Sequence, residues 1–350
     1  MQIKKVLVIR FRRVGDATLS SVICTSLRKS FPEAEIHYVL NESIAPLFKY
    51  HPDIDKLITF SNDDMSSLFK YIKKVYSIVK GQRYDIIIDT RSTLKTMFFS
   101  LFSPRTQFRI GRKKFYNPII HNYRVNNKFD GIRDNTQLSL ALLDPLNRDY
   151  SIEKTPLFKL YYTSEEYQQY REYMASKGID FSKPIIVCAV TARLEYKVWD
   201  KDKMKAILER IISKYDAQLI FNFGDNKEKE SSKHLQTLMN NDPHIFTDIE
   251  AKNLRELIAL LANSNFFFGN EGGARHISQA LDVPSFAIYP PDIPLDNWLP
   301  NKSERFQGIE LKDIVHDIAI YETLSYNDKF ALIDVDSVWN VTDKMLEKYL

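Results

Sequence analysis

Lys4-Lys5-Val6-Leu7-Val8-Ile9-Arg10 is an apolar run closed by an arginine, and Phe11-Arg12-Arg13-Val14-Gly15-Asp16 separates it from a helical pattern over residues 17–30. β-branched residues in so short a run favour a strand, while Leu19, Val22, Ile23 and Leu27 recur along one side as they would on a helix. Strand, loop and helix in that order open a parallel sheet, because parallel neighbours need a crossover connection. The alternation continues with strands at 35–40, 55–60 and 84–89 and a helix over 65–80. From Ser103 to Asn135 the chain becomes basic, aromatic and aperiodic, which reads as loops around a site.

Pro145 and Pro156 interrupt the periodicity between 143 and 160, so a connection between two units lies there, and a helix over 164–178 leads into a second series. That series runs strand 184–190, helix 201–215, strand 218–223, helix 227–240, a short strand near Ile245, helix 253–263, strand 266–269, helix 274–281 and strand 285–289. Val338, Val341, Met345 and Leu346 place a packed helix at the end of the chain. The expected architecture is α/β: two Rossmann-like, doubly wound parallel-sheet domains over 1–160 and 161–335, followed by a helix over 336–350. In such domains ligands bind outside the carboxyl ends of the strands, so the two are expected to face each other across a cleft.

At 350 residues the chain has the length of two domains of roughly 150 residues each. Hydrophobic residues make up 44% and charged residues 27%, which excludes disordered and fibrous classes. Cys24 and Cys188 fall in a helical and a strand pattern and read as small core residues in a reducing compartment. No run of 18 apolar residues and no signal-type segment is present, so a cytoplasmic protein that neither spans a membrane nor is secreted is expected. The net charge of +4 hides an asymmetry: residues 1–150 hold 25 Lys and Arg against 14 Asp and Glu, whereas residues 151–350 hold 24 against 31. An excess of that size in the first half points to an anionic partner such as a phosphorylated lipid, a membrane surface or nucleic acid, with ordinary surface charge as the plain alternative.

Four clusters sit where such sheets present ligand-binding groups. In the first, Asp16 stands at a helix start, where backbone N–H groups favour an ionised carboxylate; position alone fits a helix N-cap equally well. The second, Thr191-Ala192-Arg193-Leu194-Glu195-Tyr196-Lys197-Val198-Trp199, follows a buried strand, and Lys197 there is either a counter-charge for phosphate or a solvated lysine. In the third, Phe223-Gly224-Asp225-Asn226-Lys227-Glu228, a carboxylate is placed to bind ribose hydroxyls or simply to start a helix. The fourth, Phe268-Gly269-Asn270-Glu271-Gly272-Gly273-Ala274-Arg275-His276, sets two glycines ahead of a helix, so backbone N–H groups can approach a diphosphate. No Gly-x-Gly-x-x-Gly is found at the first turn, so a dinucleotide cofactor is not indicated.

These clusters carry a resemblance. Arg10 through Val39, with Phe31-Pro32-Glu33-Ala34-Glu35-Ile36, is similar to the opening of the heptosyltransferase family, glycosyltransferase family 9. Tyr84-Asp85-Ile86-Ile87-Ile88-Asp89 and Arg109-Ile110-Gly111 resemble later segments of its N-terminal domain. Lys197-x-Trp199, Gly224 with Glu228, and Asn270 through Pro284 follow in family order, so the likeness spans nearly the whole chain. It implies a GT-B fold with an acceptor-binding first domain and a nucleotide-sugar-binding second domain. It also implies inverting transfer of heptose from ADP-heptose to a lipopolysaccharide core or related saccharide in bacteria, at the inner face of a membrane, with no metal, no cofactor and no nucleic acid. Carried over by residue, Asp16 is the general base and Lys197 stabilises the departing diphosphate. Thr191, Gly224, Glu228, Glu271, Gly272, Gly273 and His276 hold the nucleotide sugar.

An anionic saccharide or glycolipid acceptor would meet Arg12, Arg13, Arg91, Arg109 and Arg112. The apolar stretch Leu94 to Phe102 reads as core, with peripheral contact to lipid as the alternative. Three departures bear on the donor. Glu271-Gly272-Gly273 replaces the family's Asp-Thr-Gly or Asp-Ser-Gly, Pro290-Pro291 replaces Gly-Pro, and the segment from Thr191 to Lys197 is longer. They leave open a different nucleotide sugar or acceptor, and a protein that binds nucleotide sugars without turnover.

Overall fold

The computed structural model describes residues 2–316 and 322–350. The chain divides into two compact units, Met1–Tyr161 and Tyr162–Leu350. In the first, strands β1 (Lys5–Ile9), β2 (Glu35–Asn41), β3 (Lys56–Phe60), β4 (Ile86–Asp89), β5 (Phe108–Arg112) and β6 (Tyr123–Val125) form one parallel sheet in the order β3-β2-β1-β4-β5-β6. In the second, β7 (Ile185–Ala189), β8 (Gln218–Phe221), β9 (Ile245–Phe246), β10 (Phe266–Asn270), β11 (Ser285–Ile288) and β12 (Phe306–Ile309) form another in the order β12-β11-β10-β7-β8-β9. Each order is that of a doubly wound sheet, with the winding reversing between its first and fourth strands. The two units therefore repeat one topology although no repeat is evident in the sequence.

Central strands are continuous apolar runs because both faces are covered. Val6, Leu7, Val8 and Ile9 are fully buried, as are Ile186, Val187 and Cys188. Burial also accounts for both cysteines, whose thiols are pushed far above their usual range by desolvation. In the second unit Asp200, Asp225 and Asn253 cap helices Lys201–Tyr215, Asn226–Leu238 and Leu254–Ala262 with their side chains. The terminal helix Val335–Tyr349 lies on helix Lys201–Tyr215. Val338, Met345 and Leu346 enter the core there, and Asp343 accepts from Lys214 and Tyr215, each at 2.7 Å.

The structure corrects the reading at three places. The single helix expected over 17–30 begins earlier and is broken into Val14–Ser20 and Val22–Ser30. Hydroxyls of Thr18, Ser20 and Ser21 bond back to the carbonyls of Val14, Asp16 and Thr18, a pattern that bends helices. Residues 103–135 are not loop throughout, because β5 and β6 lie within them. β6 is a three-residue edge strand whose Tyr123 stacks on Phe108 at 5.2 Å, and β12 was likewise not expected. The stretch from Leu94 to Phe102 is mostly core, as expected: Met97 and Phe99 are buried, and Phe98 and Phe102 pack against the first unit's apolar cluster. Among the described residues no helix is long and apolar enough to cross a membrane.

Gly269 shows how closely the middle strands of the second sheet approach. Its φ is +135°, and a Cβ there would stand 2.4 Å from the carbonyl oxygen of Ala189 on β7. Gly269→Ala should therefore destabilise the protein by about 3 kcal/mol through strain and overpacking. Urea unfolding of the two proteins measures this, and coincident midpoints would show that the approach is not required.

Candidate functional site

In the first unit the candidate residues gather outside the carboxyl ends of β1 and β4, where the winding reverses. Arg10 leaves β1 almost buried, and its guanidinium pairs with the carboxylate of Asp16. Asp16 is in the first turn of helix Val14–Ser20 and caps nothing, since the N-cap position falls to Arg13. The N-cap alternative for Asp16 is thereby removed. The intervening Arg12 and Arg13 have φ of 66° and 54°, a left-handed conformation that costs about 1 kcal/mol or more per L-residue. Asn41 holds the strained turn by accepting the Arg12 N–H at 2.6 Å. Strain of this kind, kept by a dedicated bond, marks functional loops.

Arg91, after β4, donates to the carbonyl of Phe11 at 3.1 Å. Arg112, at the end of β5, makes no side-chain hydrogen bond or ion pair among the described residues. Burial, followed by repulsion from Arg10, pushes its guanidinium down to about 10, against the attraction of Asp16 and Asp89. The same two causes lower Arg91, with Arg12 and Arg13 adding to the repulsion. Arg10, Arg91 and Arg112 thus crowd around Asp16, with Asp89 the second carboxylate near Arg112. Arg109 stands apart. Its guanidinium donates to the carbonyls of Pro104, Thr106 and Ile120 at 2.7 to 3.1 Å, which ties a loop together instead of presenting a cation.

Asp89 lies beneath this group, fully buried, accepting from the N–H groups of Arg91 and Ser92 at 3.0 and 2.7 Å. Burial raises its pKa, and the imidazole of His121 faces it at 3.7 Å. Arg10 and Asp89 close apolar strands and have no periodic signature, so only their place at a strand end hints at them.

In the second unit two knots of side chains flank β7. Glu228 Oε2 accepts from the Gly224 N–H at 2.9 Å and the Thr191 hydroxyl at 3.2 Å, while Asp225 caps the helix that carries it. The ends of β7 and β8 are thereby joined, and Glu228 Oε1 is left without a partner among the described residues. The second knot lies across the switch point. Lys197 Nζ is 3.4 Å from Glu271 Oε2, and His276 Nε2 is 3.7 Å from Glu271 Oε1. Burial alone would raise the Glu271 pKa, but the hydrogen bond and charge of His276, followed by the charges of Lys197 and Arg275, outweigh it and hold the carboxyl at about 2.

Asn270 positions this knot. Its side chain accepts from the Trp199 N–H at 2.8 Å and donates to the Ala189 carbonyl at 3.0 Å, stapling the Lys197 loop to β10 and β7. Arg275, which is fully buried, donates to Gln279 and His276 Nδ1, each at 2.5 Å, and to the carbonyl of Trp298. A guanidinium only donates, so Nδ1 is the acceptor and Nε2 carries the proton toward Glu271. Gly272 caps helix Gly273–Ala280 in extended backbone, and a Cβ there would meet nothing within 4 Å. The helix N-terminus with Lys197 beside it is a geometry for a diphosphate. Among the described residues no three His, Cys, Asp or Glu side chains gather as a metal-ligand set.

Comparison with known proteins gives the family and the fold. A family model described as glycosyltransferase family 9 (heptosyltransferase) matches residues 72–304. Lipopolysaccharide heptosyltransferase 1 of Campylobacter coli is 24% identical over 291 residues, covering 81% of this chain and 83% of its own. Among solved structures, a family 9 glycosyltransferase from Veillonella parvula superposes with a TM-score of 0.80 at 20% identity, covering 99% of this chain and 98% of its own. ADP-heptose lipopolysaccharide heptosyltransferase II of Escherichia coli superposes with a TM-score of 0.76 at 17% identity, covering 98% and 99%. The fold these structures share with this chain is GT-B, two Rossmann-like domains.

The Glu271 environment predicts a specific acid sensitivity. Its folded-state pKa lies below the ordinary 4.5, so the unfolded chain takes up the proton first, and stability present above pH 4.5 is lost as pH falls toward 2. That loss amounts to about 3 kcal/mol as an upper figure. Denaturant titrations between pH 5 and 2.5 should show a shallower decline for Glu271→Gln than for the wild type, and parallel curves would contradict the assignment.

Proposed function

The chain belongs to glycosyltransferase family 9, and from that premise we propose that it moves a heptose from ADP-heptose to the core saccharide of a lipopolysaccharide or related glycan, by one displacement that inverts the anomeric centre without a metal ion. That it is a glycosyltransferase follows from the family; the donor and acceptor are carried over from the names of its relatives. The observation that carries the reading is the knot of Lys197, Glu271 and His276 at the N-terminus of helix Gly273–Ala280, beside the switch point of the second sheet. A nucleoside diphosphate leaving group needs positive charge and N–H donors at that kind of position.

Each side chain then has a task. Glu228 Oε1 accepts from the ribose hydroxyls, with Thr191 and Gly224 fixing the carboxylate by its other oxygen. The diphosphate takes Lys197 as its counter-ion in competition with Glu271, which remains charged because His276 and Arg275 still face it. Gly272 and Gly273 offer backbone N–H groups, and no side chain at 272 stands in the way. In the first unit Asp16 takes the proton of the acceptor hydroxyl as oxygen attacks the anomeric carbon, and Arg10 orients its carboxylate. Arg12, Arg13, Arg91 and Arg112 receive the anionic groups of the acceptor, Arg112 with the least competition from the protein itself.

One observation favours a second reading for the donor. The family's hydroxyl after the acidic residue is absent here, the space beside Gly272 is open, and Glu271 reaches further than an aspartate would. A nucleotide sugar with a bulkier or differently placed substituent would use that room.

Asp16→Asn should lower turnover by about 10²-fold or more while donor affinity, measured by calorimetry, stays within about twofold. Unchanged turnover would remove Asp16 from the mechanism. Lys197→Met should weaken binding of the nucleoside diphosphate by about tenfold or more. Assay of the wild type against a panel of nucleotide sugars separates the readings: transfer from ADP-heptose supports the first, transfer from another donor the second, and binding without transfer would contradict both.

A further inference from the structure

We propose that the loop between β5 and β6, with Leu94 in the loop after β4, forms a docking surface for an anionic lipid bilayer. Phe115 is 94% exposed, Ile119 87% and Leu94 71%. These side chains are displayed on a built support. Tyr116 donates its hydroxyl to the Ser92 carbonyl at 2.9 Å. Asn117, fully buried, donates to the Arg112 carbonyl at 2.9 Å and accepts the Lys114 N–H at 3.1 Å. His121 is buried at the far end of the loop, against Gly111, where a Cβ would come within 2.5 Å of its ring. Tyr116, Asn117 and His121 are anchored in this way, while Ile119 stands in solvent and the Phe115 ring rests edge-on against Tyr116 at 5.0 Å. The Tyr116–Ser92 bond also joins the two loops, and Leu94 follows Ser92 by two residues.

Charge decides what this edge meets. Residues 105–133 contain eight Lys and Arg against one acid, Asp130, which is already paired with Arg133 at 2.7 Å. Lys113, Arg124 and Lys128 are exposed and form no ion pair among the described residues. Apolar side chains that enter the acyl boundary, interleaved with cations that meet anionic headgroups, are what an interfacial segment needs. A second copy of this surface would bring like charges together. Nucleic acid is bound on several aromatic stacking platforms, whereas of the three exposed side chains only Phe115 is aromatic and Ile119 and Leu94 are aliphatic. The assignment rests on the glycolipid-acceptor reading for its purpose, since it would hold Arg112 where a lipid-linked acceptor lies, but its test is read without any transfer reaction.

Full-length protein is mixed with vesicles of phosphatidylethanolamine and phosphatidylglycerol, or of phosphatidylcholine alone, and the bound fraction is measured by flotation. Binding is expected on the phosphatidylglycerol vesicles, reduced by added salt, and about tenfold weaker for the variant carrying Leu94→Ser, Phe115→Ser and Ile119→Ser together. All three side chains are exposed, and circular dichroism with unchanged transfer to a water-soluble saccharide verifies that the variant is folded. Absence of vesicle binding by the wild type, or equal binding by the triple variant, overturns the proposal. So does self-association that the triple variant abolishes while vesicles remain unbound, which would make the surface a protein interface. Failure of the wild type to transfer any sugar would count against the functional reading and leave the flotation result to stand alone.

Discussion

The approach of Gly269 on β10 to Ala189 on β7 governs the second unit. There Asn270, 81 residues from Ala189 in sequence, holds the Ala189 backbone carbonyl and the loop that follows β7. Because winding reverses at this pair, the helices after β7 and β10 leave on opposite faces and their first turns part. Lys197 and Glu271, 74 residues apart, meet at the opening so created. A side chain on residue 269 would separate the strands and, with them, the ion pair.

The first unit uses the same topology for a different electrostatic purpose. Outside β1 and β4 it concentrates guanidinium groups around Asp16 and the buried Asp89, whereas the second unit surrounds a carboxylate with one lysine, one imidazole and one buried arginine. Neither arrangement is favourable for folding by itself. Arg12 and Arg13 are strained, Arg112 is half-buried with no ion pair among the described residues, and Glu271 is charged in a desolvated position. Such costs are sustained because the apolar strands beneath are fully buried, and they persist where a ligand supplies the missing charge.

Most of the fold was legible because its signals are local. Continuous apolar runs rich in β-branched residues, such as Val6–Ile9 and Ile186–Val187, announce buried strands, and amphipathic stretches such as 201–215 announce helices, since burial of one face is encoded at a fixed spacing. β6 escaped because an edge strand of three residues with an exposed Arg124 buries too little to leave a pattern. The break after Ser20 escaped because hydroxyls bonding backward within a helix do not alter apolar spacing.

For the site, the sequence by itself determined which residue types stand at strand ends: Asp16, Lys197, Glu228, the Glu271-Gly272-Gly273 turn and a family order that connects them. Tertiary structure alone decided their partners. It removed Arg109 from the arginine group by giving its donors to loop carbonyls, left Arg112 with no ion pair among the described residues, and joined Arg10 to Asp16 and Arg275 to His276. Spacing along a chain specifies which face a side chain occupies, but an ion pair depends on distance in space, and across a parallel crossover that distance is set by how strands from remote parts of the chain pack.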